Sequence, residues 1–461
     1  MIKGIAFPFF LFLVRLSNIG YGNALTMLYI TACLFVVYSL KKVIKDKKIL
    51  IIILTFLLFN PISYSSELFQ RLYRNSILHI ELLFLLGTTI NIIVSKKNNV
   101  FNYIFLGFII SIMFLTKEDT IWAKLILLII IIYKLYKNFK FKNICINLIP
   151  ILIIILNLNI VSYINYKKYN IYTYNELTNS YFKDAYIKIL QIKDDEKIEK
   201  IAIPKSTFYK LADNSKVFGF SREQIDNLYL LYGGEDKEIP NSNIIWMFRT
   251  WIYDVHKFKN GREANEYFYN LSEEIEELFK EGKLEKEFVF PSVFMNPPSL
   301  DDIKQLPKNF AKTIYYTLTY KNIRTFPEKE MSKIFNWDNI IGAYKINYYD
   351  SHNVGNIVED NLTNCEVIRK IYEVFTITFS IVAFGIYSKN IRTRDLLNGI
   401  IHIIFLIYLV ILCGVTYTHV TAFDAIRYCY LGNIYILQNL FILLNLYRIY
   451  DKYKNKITRK R

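Results

Sequence analysis

The sequence predicts an α-helical polytopic membrane protein, with about nine spanning helices and an extracytoplasmic domain of about 200 residues that is mixed α/β or mainly helical. Three observations carry this. Runs such as 49–60, 104–115, 125–133 and 144–160 are almost free of charge. The stretches between successive runs are lysine-rich only at every second position in the order. One long segment, 166–370, is hydrophilic and balanced in charge.

At the start, Gly4 to Leu16 is apolar but contains Pro8 and Arg15 and is short for a span. Residues 1–22 are therefore expected to form an interfacial piece or a partial helix. Spans follow at 23–40, 49–64, 77–94, 100–115, 120–136 and 144–165, which together make an N-terminal membrane domain, 23–165. About 20 apolar residues at about 1.5 Å rise each match a hydrocarbon layer of roughly 30 Å, and a helix satisfies its own backbone there. After 166–370 come spans at 371–388, 396–417 and 433–450, a C-terminal membrane domain over 371–450, and then a basic tail, 451–461.

The loops fix an expected orientation. Segments 41–48, 96–97, 137–142, 389–394 and the tail are strongly basic and fall in alternate loops. Bases are retained on the cytoplasmic side, so the loops 65–76, 117–119 and 418–432 and the long segment 166–370 are expected outside. The chain carries a formal net charge of +17. Residues 166–370 hold 29 Lys and Arg against 31 Asp and Glu, leaving 28 of the 57 bases and 9 of the 40 acids for the rest. The excess thus lies between apolar runs, a distribution that speaks against nucleic acid as a partner.

Of five cysteines, Cys365 alone falls in the hydrophilic segment, so no disulfide is expected inside it. The histidines His79, His256, His352, His402 and His419 are scattered, and no zinc-ligand spacing occurs, so no metal site is predicted. Within the hydrophilic segment, 272–286 reads as a solvated helix with Ser272 as N-cap, acids following and lysines last. Gly233-Gly234, Asn296-Pro297-Pro298 and Phe326-Pro327 read as turns, and Trp246, Trp251 and Trp337 are available for a core.

The expected outer loops gather the unusual charges. Glu67, Arg71 and Arg74 flank Tyr73 in ELFQRLYRNS, with the two arginines on one helical face. Arginine holds phosphate through parallel hydrogen bonds, and the plainer alternative is snorkelling to headgroups. Lys117-Glu118-Asp119, followed by Trp122, forms a charged turn between apolar helices. It can hold a metal ion, orient a sugar or accept a proton, or serve as a hydrophilic turn that caps the next helix. Asp424, Arg427 and Tyr428 precede the last span, where Asp424 and Arg427 can pair with each other. His79, Glu81 and His402 lie within spans and are read first as bonding neighbouring helices. No P-loop, GxGxxG, nucleophile elbow or HExxH pattern occurs, which argues against nucleotide chemistry.

Taken in order, MIKGIAFPFFLFLVRLSNIGYGNALTMLYI, FNPISYSSELFQRLYRNSI, FLTKEDTIWAKLIL, NYKKYNIYTYNELTNSYFKDAYIKILQI and AIRYCYLGNIYIL resemble a group of bacterial membrane proteins. That group is similar to the GT-C class of polyprenyl-phosphate-sugar glycosyltransferases, which includes protein mannosyltransferase and aminoarabinose transferase families. The resemblance implies an enzyme of the bacterial cytoplasmic membrane. It would take a sugar from a polyprenyl-phosphate carrier and pass it to a glycan, lipid or protein acceptor on the extracytoplasmic face. Carried over, Arg71, Arg74 and Arg427 would bind the carrier phosphate and Glu118 and Asp119 would be catalytic, with Glu67, Tyr73, Lys117 and Tyr428 as further candidates. No cofactor would be required, and a divalent metal is left open. Met1 falls where the family's lysine-glycine segment already follows its first outer loop, so that loop and the helix before it are expected to be lacking, with an inactive or truncated form as the alternative. Asn75 stands where an acid is expected after the arginine. Two other classes compete with the enzyme: a non-enzymatic envelope protein that binds a glycan or assembles with a partner, and a transporter or flippase.

Overall fold

The computed structural model describes residues 3–458 apart from 67, 70, 96–98, 138, 197, 234–237, 290–297, 325–353 and 428. Trp337 and the turns at Asn296-Pro297 and Phe326-Pro327 lie outside the described residues. The chain divides into two compact units. An apolar unit comprises Ile5–Asn157, Ala311–Val415 and Ile426–Arg461, and a polar unit comprises Met1–Gly4, Leu158–Phe310 and Thr416–Ala425.

The first part of the chain forms helices α1 (Ala6–Ser17), α2 (Tyr21–Leu40), α3 (Lys47–Leu58), α4 (Asn75–Val94), α5 (Val100–Thr116), α6 (Ala123–Lys137) and α7 (Phe141–Tyr169). Two short 3-10 turns, Pro61–Tyr64 and Glu118–Trp122, follow α3 and α5. Side-chain caps start several of these helices: Asp46 accepts from the Lys48 amide, Asn60 from Ile62 and Asn99 from Phe101. Each satisfies an orphan donor of a first turn. Helix α4 is central, with 89% of its apolar window buried. Close approach is achieved through small residues, as is usual between apolar helices. A Cβ on Gly107 of α5 would lie 2.7 Å from the Pro150 carbonyl oxygen of α7, and one on Gly87 of α4 would lie 2.5 Å from the Phe35 ring of α2.

The polar unit takes α8 (Tyr181–Leu190), α9 (Lys205–Asn214), α10 (Arg222–Tyr232), α11 (Asn241–His256), α12 (Gly261–Lys280) and the first half of α13 (Leu300–Thr319). Its core is aromatic, built from Phe182, Tyr186, Phe208, Phe218, Phe248 and Phe268, with Trp246 and Trp251 packed against it. Among the described residues it has no strand, only one isolated bridge between Ile192 and Lys286. The helix expected over 272–286 begins earlier, at Gly261, where Asn260 accepts from the amides of Arg262 and Glu263. Ser272 is a buried mid-helix residue and not a cap. Ala264, Phe268, Leu271, Ile275 and Leu278 form one apolar stripe, and that stripe sets the length.

The remaining helices are α14 (Val354–Asn390), α15 (Leu396–Thr421) and α16 (Gly432–Thr458). The longest stretch of the polar unit ends at Phe310, and Thr416–Ala425 joins it from later in the chain. The second half of α13 buries Thr313, Thr317 and Thr319 in the apolar unit instead.

This is a helical chain in which six described helices are long and apolar enough to cross a membrane: Tyr21–Leu40, Lys47–Tyr64, Asn75–Val94, Phe141–Tyr169, Leu362–Asn390 and Leu396–Thr421. The expected spans at 100–115, 120–136 and 433–450 are also helical. Helices α5 and α6 have 17 and 15 residues, and Gln438, Asn439, Asn445 and Arg448 interrupt the apolar character of α16.

Candidate functional site

Within the apolar unit the loops sort to two ends. At one end the basic segments meet. Asp46, before α3, accepts from Tyr450 Oη at 3.0 Å and from Lys454 Nζ at 2.8 Å, both on α16. Lys42 Nζ donates to Asn91 Oδ1 of α4, Lys134 Nζ to the Ser95 carbonyl and Lys452 Nζ to Asn390 Oδ1. Arg448 of α16 pairs with Asp395 and donates to Asn398 Oδ1. The lysine-rich turns therefore share one end, as the alternation of charge requires.

At the opposite end the loop 65–74, the turn 117–122, the turn 426–432 and the loop 320–324 come together. The arginine loop is anchored from below by Tyr21 at the start of α2. Its hydroxyl donates to the Arg71 carbonyl at 3.1 Å and lies 2.6 Å from Ser76 Oγ, which in turn donates to the Tyr73 carbonyl. Leu68, Phe69 and Leu72 are buried together with Ser65 and Ser66, while Arg71, Tyr73 and Arg74 stay half-buried. The Arg71 guanidinium stands 4.7 Å from the Tyr73 ring centroid and that of Arg74 5.9 Å, so two cations share one ring.

Arg74 then crosses to the second loop. Its Nη1 donates to Glu118 Oε1 at 2.8 Å and lies 2.7 Å from Oε2, with the two side chains 14% and 3% exposed. Burial alone would lower the Arg74 guanidinium, but Glu118 and then Tyr73 hold it above its usual range. The turn that presents Glu118 is fixed by Thr120, whose hydroxyl reaches the carbonyls of Met113 and Lys117 at the end of α5. Lys117 is only 5% exposed, and its ammonium lies 4.1 Å over the Tyr430 ring of the third loop. Lys117 and Glu118 thus belong to a buried junction and not to a solvated turn. Gly432 meets Leu68, where an added Cβ would come within 3.3 Å of a methyl group.

Of the residues singled out in the sequence, Arg71, Tyr73, Arg74, Lys117 and Glu118 are brought together. The backbones of Asp119 and Arg427 lie in the same turns, but their side chains, and Glu67 and Tyr428 entirely, fall outside the described residues. Asp424 belongs to the polar unit, where its Oδ1 lies 2.8 Å from His419 Nδ1. Tyr21 and Tyr430 were not singled out in the sequence, because tyrosines are abundant, 37 in all, and neither stands in a charged motif.

Of the polar groups inside the spans, Glu81 and His402 bond neighbouring helices, while His79 makes ring contacts. Glu81 Oε1 is 2.5 Å from Thr116 Oγ1 of α5, His79 packs against Tyr29 and Phe69, and His402 joins Tyr387 and Asn398. Among the described residues, no group of three or more His, Cys, Asp or Glu side chains is placed to hold a metal ion.

Fold and site together define a helical membrane protein whose arginine and carboxylate loops meet at the end opposite its lysine-rich turns. Set against known proteins, the chain matches no family model, no curated protein and no solved structure.

Proposed function

We propose that this chain is a membrane glycosyltransferase of the GT-C kind, moving a sugar from a polyprenyl-phosphate carrier to an envelope acceptor on the extracytoplasmic face. The proposal includes nine membrane crossings, the polar unit outside, and the basic turns in the cytosol of a bacterial cell. The observation that supports it most is the meeting of Arg71, Arg74, Lys117 and Glu118, drawn from loops that the sequence separates, at the end away from the lysine turns.

In the transfer, the bond between the sugar's anomeric carbon and the carrier phosphate breaks as a bond to the acceptor oxygen forms. The departing phosphate gains negative charge, which fixed guanidinium groups stabilise without reorganising. Arg71 is assigned that role together with Arg427. Arg74 is held by Glu118, so this pair positions the loop. Asp119 is then left to receive the acceptor's proton.

The test is transfer from a polyprenyl-phosphate sugar by the reconstituted full-length chain. Arg71→Ala and Asp119→Asn are expected to lower transfer at least about 100-fold, in keeping with removal of a transition-state donor or a general base, while insertion is unchanged. Transfer at the parent rate in both variants would overturn the assignment.

A further inference from the structure

The loop after α13 carries a second basic feature. A cavity of about 310 Å³ opens in the apolar unit, lined by Tyr316, Lys321, Asn322 and Arg324. That volume reaches the lower end of ligand sites, about 300–1,000 Å³, and so accommodates a small charged group with part of what it is attached to.

The wall is held by bonds that fix the last turn of α13. Its terminal carbonyls find partners on other helices: Thr317 receives Gln438 Nε2, Leu318 receives Thr376 Oγ1 at 2.6 Å and Thr319 receives Arg369 Nη1 at 3.0 Å. Tyr320 follows in the left-handed region, φ 51°, a costly place for a side chain. It is held there by stacking on Tyr435, 4.6 Å between centroids, and by Asn439, which donates to its hydroxyl at 2.9 Å. Two further bonds tie the loop to the charged end. The Ser66 amide donates to the Arg324 carbonyl at 2.9 Å, and Asn322 Nδ2 donates to the Ile426 carbonyl. The frame that presents Lys321 and Arg324 is therefore preorganised.

Among the described residues the charge in the frame is only partly offset, with Glu373 acting on Lys321 from a distance. Lys321 and Arg324 are exposed, Lys321 donating to the Tyr315 hydroxyl, and among the described residues the Arg324 guanidinium has no hydrogen-bond or ion-pair partner. The acids facing this wall from α14, Glu366 and Glu373, both bond Arg369. A fixed lysine with a forked arginine beside it suits the charge and geometry of a phosphate more closely than a single carboxylate.

We infer that Lys321 and Arg324 form a binding site for a phosphate-bearing ligand, with the phosphate seated in the cavity between Tyr316 and Asn322. This site lies outside the set assigned to transfer, and it stands or falls by binding alone, whether or not sugar transfer is ever observed. The phosphate can belong to a lipid headgroup or to a free, water-borne molecule.

The experiment uses the full-length chain in a neutral detergent, titrated separately with inorganic phosphate and with phosphatidic acid in mixed micelles. The parent protein is expected to bind at least one probe, less tightly as salt rises. Lys321→Gln and Arg324→Gln should each weaken binding about tenfold, the double variant should abolish it, and Arg324→Lys should fall between, since it keeps the charge and loses the fork. Both side chains are exposed, so these variants keep their fold. Binding of phosphatidic acid alone assigns a lipid source, and binding of both probes assigns the phosphate group itself. Failure of both probes on the parent protein, or equal binding by the double variant, overturns the site. Arg71→Ala, which is expected to stop transfer, leaves this binding unchanged.

Discussion

Arg74 and Glu118 stand 44 residues apart in the chain and form an ion pair with both carboxylate oxygens within hydrogen-bond reach of one guanidinium nitrogen. Their burial decides the cost of losing either one, because the remaining charge would be left without solvent or partner. Glu118→Ala or Arg74→Ala is expected to lower stability by about 3 kcal/mol, read as a lower melting temperature of the purified protein. Replacing both together, Arg74→Met with Glu118→Leu, should recover most of that loss. Single variants that melt with the parent would refute the burial of the pair.

Gly107 allows α5 to pass close to Pro150 on α7, and the atom it meets is backbone, which cannot swing aside. Gly107→Ala is expected to cost about 1–3 kcal/mol by overpacking. A gain in stability on that change, as helix propensity alone would give, would mean the two helices do not approach this closely.

Asp194 of the polar unit links pH to stability. Burial alone would raise its carboxyl, but the Thr207 hydroxyl, the Glu196 amide, the Ser206 hydroxyl and then Lys210 together hold it below the usual carboxylate range. A lowered folded value means that the stabilisation is present above the unfolded value of about 3.9 and is lost as pH falls through the folded one. Asp194→Asn should therefore flatten the acid side of the stability profile and leave its shape above about pH 6 unchanged. An unaltered acid limb would remove Asp194 as the cause.

Orientation is open to direct labelling. In a version without the five native cysteines, Leu231→Cys, at a site 76% exposed, should react with an impermeant thiol reagent on intact cells. Lys140→Cys should react only after permeabilisation, since its loop is among the basic ones. The opposite pattern would invert the proposed topology and remove the phosphate-carrier reading with it.

What the sequence made legible follows from local physics. Apolar length located helices at the expected spans, six of the described ones long and apolar enough to cross a membrane, and alternation of lysine anticipated the basic residues gathered at one end of the apolar unit. Arg71, Arg74, Lys117 and Glu118 stood out because charges beside apolar runs are costly. The rest depended on long-range partners. Tyr430 gains its role only from the ammonium brought over it by a residue on another loop, and Tyr320 from Tyr435 and Asn439, each more than a hundred positions away. Ser272 misled for a related reason: followed by acids, it looks like a cap, yet it falls in register with Phe268, Leu271 and Ile275 on the buried stripe. The second half of α13 falls inside the hydrophilic segment 166–370 of the sequence, and the burial of its Thr313, Thr317 and Thr319 could be known only from the fold.

The clasp between Asp46 and the far end of α16 sets the timetable of biosynthesis. Its donors lie 404 and 408 positions downstream of their acceptor, so the lysine end cannot lock until the ribosome has made α16. Closing so distant a pair is slow compared with forming any single helix. Until then, the earlier helices wait in the bilayer with Asp395, Asn398 and the Tyr320 hydroxyl lacking the partners that α16 alone supplies. A nascent chain that stalls before α16 is therefore the form most exposed to membrane proteases, and synthesis of α16 is the step that secures the lysine end.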